Sequence, residues 1–397
     1  MNSNKKYIVV IEFDYHSEVL LSQLLILQKL PQKIYLFTTA KIWNIISKSA
    51  KNKNLNVLLA ENHGKVKELI LSNLGILNNS ETILFNTAAS HFKLFSSINY
   101  KAPVILRIHN ANTYLNATKS INPKLSFFYI WKDSSYLILH GLFKLEMFYR
   151  EKFIKKRVNY FLFPTHSIKN YVLEQGYLQP EKILPPTPYV FLKNVNEIKV
   201  QKKSVNIVII GGIDKRRRNY NEVLNAFKYI APKLKTRVTF SLLGKPNGFY
   251  GKEIAASFKK LESDLFKVNT FNKYVPQPIF DDLSSNADFL ITPTVCETRY
   301  KLYKELYGYT KVSGSVNDMV VYKKPSLIPA FYPIDQALKP HFGIYNNEKD
   351  LISVLENWIE KREFESHSFK SIIDDYKLEN VAKRTGQFLK DIRKRGK

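Results

Sequence analysis

A single cysteine, Cys296, stands among 397 residues. No internal disulfide framework can hold this chain together, and metal clusters built on cysteine are excluded. Acidic side chains are scarce: 34 Asp and Glu face 61 Lys and Arg, a formal charge of +27. A field of that sign attracts nucleic acid, anionic lipid and phosphorylated small molecules alike, so charge alone does not choose among them. No stretch approaches the roughly 18 uncharged apolar residues that a spanning helix needs. The richest, 127–143, is broken by Lys132 and Asp133. The apolar run Tyr7–Ile11 is too short for a signal peptide and runs into Glu12 and Asp14, so it reads as a first strand. The expectation is a cytoplasmic protein, with peripheral attachment to the inner face of a membrane as one use of its basic surface.

Hydrophobic residues make up 45% and aromatics 13%. That is ample for packed cores, and the length suits two α/β domains rather than one. Short β-branched runs alternate with helical patterns, the mark of βα units around a parallel sheet. The first half offers strands at Tyr7–Ile11, Lys33–Phe37, Asn56–Leu59, Thr82–Phe85, Val104–Ile108 and Tyr160–Phe163, with helices at Ser17–Lys29, Gly64–Leu74 and Leu137–Arg157. Four prolines between Pro180 and Pro188, then the charged 193–203, predict a linker, because proline at that density continues neither helix nor strand. The series restarts with strands at Val205–Ile210, Val238–Leu243, Val268–Phe271, Phe289–Ile291 and Ser326–Ile328. Helices fall at Tyr220–Ile230, Tyr250–Leu265, Ile279–Ser284, Gly314–Tyr322 and Lys349–Arg362. The predicted domains are 1–193, 194–375 and a basic helix, 376–397, that is a candidate to pack back on the first. Two doubly wound domains facing across a cleft are the expected architecture, with ligands at the carboxyl ends of the strands.

Two segments carry most of the chemistry. In Ile207–Asn219 a buried strand ends in Gly211-Gly212, where absent side chains let a phosphate approach, and four cations, Lys215 to Arg218, follow. The same residues would also serve a tight turn with a solvated charge run. In Lys311-Val-Ser313-Gly314-Ser315-Val-Asn-Asp318 a small-residue loop at a helix start aims free N–H groups at an anion, and Lys311 adds a full charge. Ser313 is an N-cap candidate. Asp318, one turn on, is placed to accept from ribose hydroxyls or to remain an exposed helical acid.

These two segments, at this separation, resemble the donor-binding half of GT-B glycosyltransferases of the bacterial group 1-like kind. Leu242-Leu243-Gly244 resembles a strand–Gly turn of that fold, and Tyr274-Val275-Pro276 the loop that contacts the base. Phe280–Leu283 and Ala287–Pro293 are similar to the helix and strand before the diphosphate loop. Arg107-Ile-His109-Asn110 resembles the strand end that places a histidine in the cleft. Arg157–Ser167, with Gly176 and Lys182–Pro185, resembles the last strand and helix of the first domain. The likeness runs in order over roughly residues 1 to 375. It implies Gly211, Gly212, Arg216, Arg217, Tyr274, Val275, Lys311, Ser313, Gly314, Ser315 and Asp318 as donor ligands, and a UDP- or GDP-sugar as donor.

The chain departs from the pattern of retaining members, which often carry two glutamates eight positions apart around the diphosphate loop. Glu297 and Glu305 have the spacing but lie too far before Lys323-Lys324-Pro325. Alignment on Pro325 puts Thr310 and Asp318 at those places instead, which leaves the stereochemical outcome open. An inverting transfer needs a carboxylate or imidazole to deprotonate the acceptor. Asp14 and His16 follow the first strand, and His109 can contact donor sugar or acceptor. Asp14 can equally be a first-turn acid, His16 a surface residue and His109 a core histidine. No two aspartates separated by one residue occur, as metal-dependent transferases of the other common fold carry; Glu12-Phe13-Asp14 comes nearest. The cationic cradle can itself neutralise a leaving diphosphate, so no obligatory metal or other cofactor is expected.

The resemblance implies a glycan, lipid-linked or protein-linked acceptor, in the synthesis of bacterial surface polysaccharide or glycoconjugate. Abundant Tyr and Lys suit an AT-rich bacterial source. Between Lys144 and Arg157 basic residues interleave with Leu145, Met147, Phe148, Tyr149, Phe153 and Ile154, which fits either adsorption to an anionic membrane or a core helix with a solvated face. A sugar-nucleotide epimerase or polyol-phosphate transferase would use the same fold. A nucleic-acid binder would show a binding module or a contiguous basic stripe, and neither is found.

Overall fold

The computed structural model describes residues 7–50, 52–122, 145–190, 204–370 and 373–395. The predicted linker 193–203, the apolar stretch 127–143 and the first part of the predicted helix Leu137–Arg157 lie outside them. By internal contacts the chain forms two units. Unit 1 is Met1–Val190, Tyr300–Glu305 and Asp375–Lys397; unit 2 is Phe191–Arg299 and Leu306–Asp374.

In unit 1 the strands are β1 (Ile8–Glu12), β2 (Ile34–Thr39), β3 (Leu55–Ala60), β4 (Thr82–Phe85), β5 (Val104–Arg107) and β6 (Tyr160–Leu162), ordered β3-β2-β1-β4-β5-β6. All pairings are parallel; β1 is matched to β2 by Ile8↔Ile34 and to β4 by Ile8↔Thr82. Every residue of β1, β4 and β5 is buried, as expected where helices cover both faces of a parallel sheet. The helices are α1 (Ser17–Gln28), α2 (Ala40–Ala50), α3 (Val66–Ser72), α4 (Leu74–Asn78), α5 (Phe92–Ser97), α6 (Ala111–Leu115), α7 (Glu146–Arg157) and α8 (His166–Glu174). The chain winds outward from β1 to β3, then crosses back to β4. The reversal of strand order therefore falls between β1 and β4, and the carboxyl ends of the strands at such a point are where sheets of this kind place ligands.

Unit 2 repeats this winding. Its strands are β7 (Ser204–Ile210), β8 (Arg237–Leu243), β9 (Phe266–Asn269), β10 (Phe289–Ile291), β13 (Ser326–Pro329) and β14 (Phe342–Tyr345), ordered β14-β13-β10-β7-β8-β9; β11 (Glu297–Tyr300) and β12 (Tyr303–Leu306) form a separate two-stranded sheet. The reversal falls between β7 and β10. The helices are α9 (Tyr220–Ile230), α10 (Gly248–Lys259), α11 (Gln277–Asn286), α12 (Gly314–Tyr322) and α13 (Glu348–Glu360). Phe227, Phe240, Phe258 and Phe266 stack within the core, and Trp358 packs edge-on against Phe289.

The last helix, α14 (Leu378–Arg395), belongs to unit 1 and packs on α1, adding Phe388, Leu389 and Ile392 to the cluster of Leu20, Leu24 and Leu27. Lys29–Glu379 and Arg393–Glu81 ion pairs border that seam. On α7 the inward side chains are Arg150, Phe153 and Ile154, the helix packs on α5, and Phe148 is left exposed. No helix among the described residues is long and apolar enough to cross a membrane.

Candidate functional site

In unit 1 the loops that follow β1, β4 and β5 gather two carboxylates and three imidazoles. Glu12 is the last residue of β1 and is wholly buried. Its Oε1 accepts from the N–H groups of Asp14 (3.0 Å) and Tyr15 (3.2 Å), and its Oε2 from Asn86 Nδ2 (2.7 Å). Burial raises its pKa from 4.5 to about 8; the nearby Thr87 hydroxyl and the hydrogen bonds from Asn86 and Asp14 N–H oppose the rise and the Asp14 charge adds to it. Asp14, on the loop, accepts from Ala89 N–H (2.9 Å) and the Ser90 hydroxyl (2.5 Å). His109 donates Nε2–H to the Asn86 carbonyl (2.9 Å), which fixes its tautomer. The His16 ring stacks on His109 with centroids 4.3 Å apart. The structure thus brings Asp14, His16 and His109 to one strand-end cluster.

His91 joins them although its sequence surroundings give no hint of it. His16 (φ 60°) and His91 (φ 57°) both take left-handed backbone and stand at the starts of α1 and α5, the helices that follow adjacent strands β1 and β4. For a residue with a Cβ this costs about 1 kcal/mol or more, and such strain concentrates at functional sites. Burial lowers the pKa of His91, against the pull of Asp14. Its Nε2 lies 3.4 Å from His63 Nδ1.

The raised pKa of Glu12 makes unit 1 pH-sensitive in a definite direction. The unfolded chain releases this proton near 4.5, the folded chain near 8. Stability from this group is therefore complete below about pH 4.5, falls as pH rises to about 8, and then levels, because over that interval the folded state binds more protons. Urea midpoints of wild type and Glu12→Gln, measured from about pH 5 to about pH 9, are expected to diverge in favour of the variant up to about pH 8 and to run parallel above it. Curves parallel over the whole range would mean that the folded protein holds Glu12 ionised.

In unit 2, β7 ends at Ile210 and turns through Gly211 at φ 102°. A Cβ on Gly211 would lie 2.3 Å from the Arg218 guanidinium, and one on Gly244 would lie 2.2 Å from Gly211 O. Two loops therefore meet where only glycine fits. Of the four successive cations, Lys215, Arg216 and Arg217 are exposed and Arg218 turns inward, only 9% exposed. Arg218 donates from Nη1 to Gly212 O (3.2 Å) and from Nη2 to Ser315 Oγ (3.0 Å), and Ser315 Oγ donates in turn to Ile210 O (3.2 Å). Its Nε is buried without an acceptor, and no carboxylate pairs with it among the described residues. The glycine turn is thereby tied to the first turn of α12.

Ser313 occupies the N-cap of α12 in extended backbone, but its hydroxyl does not cap the helix; its N–H meets the Tyr332 hydroxyl at 3.3 Å. No serine oxygen from the cap thus competes for the first N–H groups, those of Gly314 and Ser315. Arg216 is drawn onto Asp214 (2.6 Å). Burial pushes the Asp214 carboxyl up, but the Arg216 hydrogen bonds and the charges of Arg216 and Arg217 together outweigh it and hold the pKa below its usual value. Arg217 offers its carbonyl to Val295 N–H (3.2 Å) and leaves its side chain exposed. Lys311 and Asp318 are half-buried on either side of the α12 start. Tyr274, 84% exposed, has Lys245 Nζ 5.6 Å from its ring centre, and Val275 beside it is half-buried. The structure therefore joins Gly211, Gly212 and Ser315 through Arg218, a residue that sequence could not single out from its three neighbours.

Glu305 is wholly buried in unit 1, accepting from Thr113 N–H (2.8 Å), the Thr113 hydroxyl (2.6 Å) and Asn112 N–H (3.4 Å) at the start of α6. It serves as a long-range helix cap there, while Glu297 lies exposed in unit 2. Thr310 closes its own turn, its hydroxyl accepting from Leu306 N–H at 2.7 Å.

No family model matches this sequence, and no curated protein matches it either. The fold matches solved structures over nearly its whole length. Alr3699/HepE from Anabaena, crystallised with UDP and glucose, has a TM-score of 0.59 at 10% identity, covering 97% of this chain and 99% of its own. The GtfA/B complex gives 0.61 at 9% identity over 98% and 100%. The UDP-GlcNAc 2-epimerase of Neisseria meningitidis, bound to UDP-GlcNAc, gives 0.52 at 14% identity over 97% and 100%. Two six-stranded parallel sheets with this winding are the GT-B fold.

Proposed function

We propose that this chain is a glycosyltransferase that takes its sugar from a nucleotide diphosphate donor, with UDP the favoured nucleotide. The observation that carries the reading is Arg218: a buried guanidinium with no carboxylate partner among the described residues, an unused Nε, and a position between the glycine turn and the α12 start. A buried cation left without a counter-ion is costly, and a diphosphate would supply two negative groups along with acceptors for Nε and the helix N–H groups. HepE and the epimerase, which share the fold, were crystallised with UDP or a UDP-sugar.

On this reading Gly211, Gly212, Ser313, Gly314, Ser315 and Lys311 surround the diphosphate, Asp318 accepts from the ribose, and Tyr274 with Val275 contacts the base, where the exposed ring is available for stacking. Arg216 and Arg217 add long-range attraction. In unit 1, Asp14 takes the proton from the acceptor hydroxyl, with His16 and His109 lining the approach. Charge on the leaving UDP is met by Arg218 and the α12 N-terminus, so the transfer proposed needs no metal. The acceptor class is a glycan or a lipid-linked glycan at the inner face of an anionic membrane, which the exposed lysines and Phe148 of α7 would suit.

Thermal shift against UDP and GDP tests the donor site. UDP at about a hundred times its Kd is expected to stabilise the chain by about 2.7 kcal/mol, a rise of several degrees, and Lys311→Ala is expected to reduce it. No shift with any nucleotide diphosphate would remove the reading. The epimerase alternative rests on the shared fold and predicts a changed nucleotide sugar with no UDP released, so product analysis separates the two.

A further inference from the structure

Glu12 and Asp14 close the loop after β1 onto the loop after β4. Glu12 takes donors from its own loop (Asp14 N–H, 3.0 Å; Tyr15 N–H, 3.2 Å) and from the opposite one (Asn86 Nδ2, 2.7 Å). Among the described residues Asp14 takes its donors from the opposite loop, Ala89 N–H at 2.9 Å and the Ser90 hydroxyl at 2.5 Å. The first loop is therefore fastened at its root by Glu12 and at its tip by Asp14. The Asn86 carbonyl that accepts from His109 belongs to the same residue whose amide donates to Glu12. One buried carboxyl group thus orders both Asp14 and the residue that orients His109.

We propose that Glu12 is the positioning residue of the unit 1 site: it holds the Asp14 loop against the β4 loop and sets where the Asp14 carboxylate stands. The inference rests on the reading of Asp14 as the base. The groups that face Glu12 among the described residues are Thr38, its register partner on β2, Asn86 and Thr87 after β4, Tyr114 of α6, and Asp14 and Tyr15 on its own loop. None is a cation and Asp14 is a like charge, so in the wholly buried setting Glu12 keeps its proton up to about pH 8. A neutral Glu12 lets Asp14 carry the only negative charge of the pair. Ionisation would place a wholly buried carboxylate two residues from the half-buried Asp14, where water screens their repulsion only in part, and would drive the Asp14 loop from its seat.

Hydrolysis of UDP-glucose, with water in place of the acceptor, reads this out against pH. Wild-type kcat is expected to fall above about pH 8. Glu12→Ala is expected to lose about tenfold or more of kcat, a fraction of what a general base contributes, with KM for UDP-glucose unchanged. Glu12→Gln keeps an acceptor oxygen for the Asp14 and Tyr15 N–H groups; it is expected to recover part of that loss and to show no alkaline fall. An alkaline fall retained in Glu12→Gln, a change in KM as large as that in kcat, or wild-type kcat in Glu12→Ala would each overturn the proposal. If the wild type neither binds UDP nor hydrolyses UDP-glucose, the glycosyl-transfer reading fails, and amide NMR of the whole chain still decides about the clamp. Titration of the Asp14 and Ala89 N–H signals with one midpoint near 8, abolished by Glu12→Gln, supports it. A midpoint in the ordinary carboxylate range overturns it.

Discussion

Replacement of Arg218 by methionine is expected to weaken UDP binding about a hundredfold, because hydrogen bonds to a charged partner contribute about 1.5–3 kcal/mol each and every 1.4 kcal/mol is tenfold in affinity. The guanidinium is 9% exposed and reaches both Gly212 O and Ser315 Oγ, so its charge acts where water screens it least. Methionine fills most of the arginine stem, and Ser315 keeps its bond to Ile210 O. The Gly212 carbonyl loses one donor, a cost of about 1 kcal/mol. Loss of a buried cation with no counter-ion offsets some of that cost. The expected signature is thus a large change in UDP affinity by calorimetry with a small change in melting temperature of the free protein. An affinity within about threefold of wild type would sink the donor-site assignment, since threefold is well under 1 kcal/mol.

Asp14→Asn is expected to lower kcat for sugar transfer by about 10² to 10⁴, the range of a lost general base, with UDP affinity unchanged. Asp14 lies in unit 1 and the proposed diphosphate cradle in unit 2, so on that proposal a change at Asp14 should leave UDP binding intact. One complication is local: an asparagine presents an oxygen to only one of the two donors, Ala89 N–H and the Ser90 hydroxyl, that Asp14 now satisfies. Ser90→Ala is the control, because it removes the hydroxyl contact and leaves the carboxylate. If Ser90→Ala loses as much kcat as Asp14→Asn, loop geometry rather than proton transfer explains the loss. If both variants keep wild-type kcat, the base lies elsewhere.

Much of the scaffold is legible because its determinants are local. The fully buried runs of β1 and β4, the buried last four residues of β7, the punctuating Gly211-Gly212 and Gly244, and the small-residue start of α12 all lie within a few residues of the structure they specify. Errors in reading them fall at the ends. The helix expected at Tyr250–Leu265 stops at Lys259, and β9 begins at Phe266, two residues before the expected Val268. There Ser263 N–H bonds the Phe266 carbonyl and Glu262 accepts from Val268 N–H, a turn built by side chains with no strong pattern. Helix α2, strand β14 and the hairpin β11–β12 escape a pattern-based reading. The hairpin is short, and its Tyr300–Glu305 portion belongs to unit 1 while the flanking residues belong to unit 2.

The sequence by itself determined two parallel, doubly wound sheets, because the periods of buried strands and helices, and the glycines that end strands, are properties of neighbouring residues. It also offered, as candidates for the chemistry, a cationic glycine turn in one half and a carboxylate with histidines in the other. Which of Lys215, Arg216, Arg217 and Arg218 turns inward was decided only in three dimensions, where Ser315, 97 positions on, meets Arg218. The same is true of Glu12, whose pKa is pushed up because the surrounding strands and loops bury it wholly, against the opposing hydrogen bond from Asn86, 74 positions away. It is true again of Glu305, which caps α6 across 192 positions. Burial and long-range hydrogen bonds set the role and charge of a side chain, and neither can be read from the residues next to it in the chain.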